Sequence, residues 1–74
     1  MMYDFNFQTY SKVNSVVLHL IDNSGNLHIQ NMESDDQIIW RVYEDLPDTI
    51  KYFAYLLNNE FWICSQNHNV TANT

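Results

Sequence analysis

With 74 residues, nine carboxylates, three basic side chains and a net charge of −6, the chain has the length of one small domain and an excess of acid. Gripping a nucleic-acid backbone needs clustered Lys and Arg that release counterions, and Lys12, Arg41 and Lys51 are too few and too scattered, so no direct nucleic-acid binding is expected. A lone cysteine, Cys64, forms no intrachain bridge and fits a reducing, cytoplasmic setting, where it is expected as a small buried residue.

Tyr3, Phe5 and Phe7 alternate with Asp4, Asn6 and Gln8, the period of a half-buried strand. The next strand is expected from Asn14 to Asp22, followed by a turn at Asp22-Asn23-Ser24-Gly25-Asn26 and a return strand from Asn26 to Met32. Asp22 opens a type I turn and Gly25 supplies the left-handed residue that closes a G1-bulge hairpin. That loop sets Ile21 beside Leu27, Leu20 beside His28 and His19 beside Ile29. One face then carries Val17, His19, Ile21, Leu27 and Ile29, and the other Val16, Leu18, Leu20, His28 and Met32.

Gln37 to Glu44 is rich in β-branched and aromatic residues and reads as a strand, with a short helix at 36–44 as the alternative. Leu46-Pro47-Asp48-Thr49 reads as a helix start, with Ile50, Phe53, Ala54 and Leu57 at helical spacing and Asn58-Asn59 as the stop. Glu60 to Gln66 reads as a last strand. The expected architecture is therefore α+β: an antiparallel sheet of four to five strands packed against one main helix at about 47–58. A single compact domain is expected over 1–66, with a flexible polar tail over 67–74.

One helix covers one face of a sheet, and both faces of the hairpin are apolar. The uncovered face must meet the N-terminal aromatic segment, a second copy or a target, because large bare apolar patches are rare. Leu18 and Leu20 are taken here as members of that uncovered face. Glu33, Asp35 and Asp36 cluster at one end of the third strand, and Glu44, Asp45 and Asp48 at the other, about 25 Å away at ~3.3 Å per residue.

No catalytic constellation, phosphate-binding loop or zinc pattern assembles from the residue types present, so no enzyme activity, metal or cofactor is expected. From Asp22 to Glu33 the chain nearly spells a calcium loop, but Leu27 stands where that loop requires glycine. The chain resembles, in size and charge only, the small acidic proteins with which phages antagonise host defence, anti-CRISPR proteins and nucleic-acid mimics among them. That likeness implies a non-enzymatic, phage- or mobile-element-encoded inhibitor that blocks a nucleic-acid-binding defence enzyme by steric and electrostatic occlusion. The partner is then a protein with a basic or nucleic-acid-binding surface; no membrane partner is expected, and a homodimer remains open. The contact residues expected are Glu33, Asp35, Asp36, Glu44, Asp45 and Asp48 for charge, with Trp40, Tyr43 and Trp62 as buried anchors. An immunity protein or antitoxin against a basic toxin, and a homo-oligomeric assembly subunit, are the alternatives.

Overall fold

The computed structural model describes residues 1–64 and the backbone of Val70–Asn73. Its strands are β1 (Met2–Gln8), β2 (Val16–Asp22), β3 (Leu27–Asn31), β4 (Ile39–Asp45), β5 (Ile50–Leu57), β6 (Phe61–Cys64) and the short β7 (Val70–Asn73). They form two antiparallel sheets, ordered β4-β1-β7 and β3-β2-β5-β6. The fold is all-β, with no helix among the described residues.

This overturns the expected α+β architecture. The span 47–58 is a turn and the strand β5, and 36–44 leads into β4 with no short helix. Ile50, Phe53, Ala54 and Leu57 fit a helical stripe, but the same segment also alternates. Phe53 and Tyr55 are buried while Tyr52 is exposed, and these three rings favour a pleated surface. Tertiary pairing decides between the two readings. β5 supplies the second ladder of β2 from Val16↔Leu57 to Asp22↔Ile50, without which the apolar strand β2 would be an edge. Pro47 begins a turn here. Asp48 accepts hydrogen bonds from the Thr49 amide at 2.7 Å and the Ser24 hydroxyl at 2.7 Å, tying the turn to the β2–β3 hairpin.

Asn58 and Asn59, read as a helix stop, form a hairpin turn. Both lie in the left-handed region at φ 54° and 58°, and the Glu60 amide bonds to the Leu57 carbonyl at 2.9 Å, as a type I′ turn requires. The Asn58 side chain also accepts a bond from the Asn14 amide at 2.7 Å, fastening this turn to the start of β2.

The β2–β3 hairpin has the register read from the sequence: Ile21↔Leu27, Leu20↔His28 and His19↔Ile29. Gly25 sits at φ 89°, and its amide bonds to the Asp22 carbonyl at 3.0 Å. The fully enclosed Asp22 carboxylate holds the turn from inside. It accepts bonds from the Ser24 amide at 3.0 Å and the Asn26 amide at 2.9 Å, and lies 3.0 Å from His28 Nε2. These donors hold its pKa down to about 2, the His28 bond contributing most and burial opposing them.

The sheets face each other across one core. β1 and β4 contribute Tyr3, Phe5, Phe7, Trp40 and Val42; β2 and β5 contribute Val16, Leu18, Leu20, Phe53 and Tyr55. Phe5 meets Phe53 edge-on at 5.2 Å, and Phe7 stacks on Tyr55 at 4.3 Å. The N-terminal rings thus seal the face that holds Leu18 and Leu20, which are core residues and not the uncovered face. Of the expected tail at 67–74, only the backbone of Val70–Asn73 lies within the described residues, where it pairs with β1.

Successive strands visit the sheets in a repeating pattern. β1 lies in one sheet and the β2–β3 hairpin in the other; β4 returns to the first and the β5–β6 hairpin to the second. β1 and β4 are antiparallel neighbours, as are β2 and β5, so β4, β5 and β6 repeat the sheet placement of β1, β2 and β3.

Candidate functional site

Two surfaces stand out, and they differ in chemistry. The first is the outer face of the β3-β2-β5-β6 sheet. Cross-strand pairing arranges its side chains in three rows: Leu27, Ile21 and Tyr52; Ile29, His19, Ala54 and Cys64; Asn31, Val17, Leu56 and Trp62. No paired position on this face carries a charged side chain. Leu27 is 59% exposed, Ile29 56%, Tyr52 56% and Trp62 54%. Trp62 packs edge-on against His19 at 4.8 Å between ring centroids, so the face is ordered by its own contacts. Cys64, expected as a buried residue, is exposed here.

The second surface is the segment between β3 and β4. Glu33, Ser34, Asp35 and Asp36 surround an open concavity of about 460 Å³, with Ile39, Arg41, Val42 and Tyr43 on the adjoining strand. The acids here have different duties. Asp36 Oδ1 accepts bonds from the amides of Ile38 and Ile39, both at 2.9 Å, and from the Ser34 hydroxyl at 3.1 Å. Those amide bonds hold its carboxyl below the usual carboxylate range. Glu33 and Asp35 are exposed, and among the described residues their carboxylates make no hydrogen bond or ion pair. Arg41 is held on the strand by Asp4 at 3.6 Å and the Tyr43 hydroxyl at 3.2 Å, with its guanidinium 5.9 Å from the Tyr43 ring centroid.

The expected site residues therefore separate. Glu33, Asp35, Asp36 and Tyr43 come together around the concavity. Glu44, Asp45 and Asp48 lie at the opposite end of β4, beside the β2–β3 turn. Asp45 is exposed and reaches the Met1 amino group at 3.4 Å. Asp48 is engaged by Ser24 and Thr49, and these bonds, Ser24 foremost, lower its pKa. Glu44 is half-buried toward the sandwich interior, where its Oε2 has no hydrogen-bond partner among the described residues and desolvation raises its pKa against the field of His28. Trp40 is in the core at 6% exposure, whereas Tyr43 and Trp62 are exposed, on different sheets.

Among the described residues, no group of three His, Cys, Asp or Glu side chains is placed to hold a metal ion. The residues that sequence reasoning missed are those of the outer face in β5, Tyr52 and Leu56. The hairpin register identifies Val17, Ile21, Leu27 and Ile29 as sharing a face, but reading 47–58 as a helix hid β5, the strand that joins this face to the expected last strand, β6. The concavity beside β4 and this apolar face are the two surfaces from which a function must be argued. Comparison with protein-family models, with curated proteins and with solved structures found no match.

Proposed function

We propose that the protein is a non-enzymatic inhibitor that binds another protein at a basic, nucleic-acid-binding surface and occludes it. The observation that carries this reading is the pair of carboxylates, Glu33 and Asp35, unengaged among the described residues, at an open concavity flanked by the exposed ring of Tyr43. A net charge of −6 would steer such a surface toward Lys- and Arg-rich ground, and an exposed ring beside acids supplies the apolar contact that slows dissociation. Asp36 acts one step removed: it holds the segment in shape through the amides of Ile38 and Ile39.

The test is affinity capture from the native cells, followed by nucleic-acid binding by the captured protein with and without this chain. The reading expects competition with nucleic acid and an association rate that falls steeply with salt. The variant carrying both Glu33→Lys and Asp35→Lys should associate at least about tenfold more slowly at low salt. A captured protein that binds nucleic acid equally well in the presence of this chain would defeat the proposal.

A further inference from the structure

We propose that the outer face of the β3-β2-β5-β6 sheet is the interface of a two-fold homodimer. This goes beyond the acidic contact site and does not depend on it, since the face belongs to the other sheet and presents no charge at its paired positions.

Charge argues for a second copy. A basic target has nothing to pair with on this face. In a chain of net charge −6, its paired positions let two copies meet without bringing carboxylates into contact. Area points the same way. The exposures of 59% at Leu27, 56% at Ile29, 56% at Tyr52 and 54% at Trp62, with smaller shares from their row neighbours, sum to an accessible surface. Scaled by ordinary side-chain areas, that surface is roughly 700 Å² per copy, near the ~800 Å² per partner of a standard stable interface. Homodimer interfaces are also the more apolar class.

The β2–β3 and β5–β6 hairpins flank the central β2–β5 pairing, so the two edges of the face are each the outer strand of a hairpin, with different filling. Branched aliphatics, Leu27 and Ile29, stand on β3, and the large ring of Trp62 stands on β6. A dimer axis running along the strands lays β6 of each copy over β3 of its partner and sets each row against the same row, so Trp62 faces Asn31 and Cys64 faces Ile29 across the interface, an isologous contact. The two outer faces would pack ~10 Å apart, as in any stacked pair of sheets.

Sedimentation equilibrium of the full chain tests this directly. Twice the 8.8 kDa protomer mass is expected at about 100 μM, with the protomer mass recovered on dilution. Ile29→Lys and, separately, Tyr52→Lys should each give the protomer mass with the strand-type circular dichroism retained. Glu33→Lys, at the acidic site, should leave the doubled mass in place. Several results would overturn the proposal: a protomer mass for the unaltered chain at that concentration, or a doubled mass that survives in both folded lysine variants. Unfolding of both variants would also overturn it, because residues on an exposed face tolerate lysine. So would a protomeric chain that uses this face only to hold a different protein.

Discussion

Truncating one leucine and one isoleucine from opposite faces of the same sheet tests which face the sandwich closes over. Leu18 on β2 is 0% exposed, whereas Ile29 on β3 is 56% exposed. Leu18→Ala removes most of a fully enclosed side chain and leaves a cavity in the core it shares with Phe5 and Phe7, at a cost of ~3 kcal/mol. A domain of this length holds on the order of 5 kcal/mol in total, so the variant should retain a minority of its stability. With a urea slope near ~1 kcal/mol per molar, the unfolding midpoint should fall by about 3 M. Ile29→Ala in a dilute, single protomer loses only a partial burial, about 0.5 kcal/mol, and should shift the midpoint by about 0.5 M. Intrinsic fluorescence during urea titration at sub-micromolar protein reads both. Equal shifts, or a larger one for Ile29→Ala, would refute the packing of the two sheets around Leu18.

Further outcomes follow from the polar groups. Asp22 has a folded pKa of about 2, below its ordinary 3.8, so its contribution is complete above the unfolded value and is lost as pH falls from about 4 toward 2. Urea midpoints for Asp22→Asn should therefore be lower at neutral pH and fall less on acidification, and an unchanged acid profile would contradict the buried carboxylate turn. Glu44 has the opposite sign: burial raises its pKa, so the fold loses stability as pH rises through its unfolded value of 4.5 to the folded one. Glu44→Gln should raise the neutral-pH midpoint, with the gain fading at acid pH; a loss at pH 7 would mean that the carboxylate has a partner. Asn59 at φ 58° should accept Gly without loss and cost about 1 kcal/mol as Ala, read by thermal denaturation; tolerance of Ala would argue against the type I′ turn.

The β2–β3 hairpin was legible because its turn chemistry and its alternation point to one register. Asp22 and Gly25 sit where a G1-bulge loop needs them, and a slip of one residue would turn Leu18 outward. β1 was legible for the same reason, from Tyr3, Phe5 and Phe7. β5 was not, because Ile50, Phe53, Ala54 and Leu57 satisfy a helical stripe while Phe53, Tyr55 and Leu57 satisfy a strand. The choice was made by β2, a non-local partner that single-sequence periodicity does not contain. The Asn58-Asn59 doublet was the local clue, since two adjacent left-handed residues close a hairpin and do not simply end a helix. Both faces of the hairpin were grouped correctly, but which one lay bare depended on where β1 and β4 pack. At the acidic site, composition located the cluster. Only geometry separated Asp36, spent on the amides of Ile38 and Ile39, from Glu33 and Asp35, whose carboxylates make no hydrogen bond or ion pair among the described residues.

Cross-sheet proton contacts in the nuclear Overhauser spectrum of the full chain bear most directly on a sandwich with one sealed and one bare face. Ring protons of Phe7 should show contacts to Tyr55 and those of Phe5 to Phe53, consistent with centroid separations of 4.3 Å and 5.2 Å. No ring of β1 should reach Leu27, Ile29 or Tyr52. Contacts from Phe5 or Phe7 to those three residues would place the first sheet on the opposite face and contradict both the core and the interface built on it.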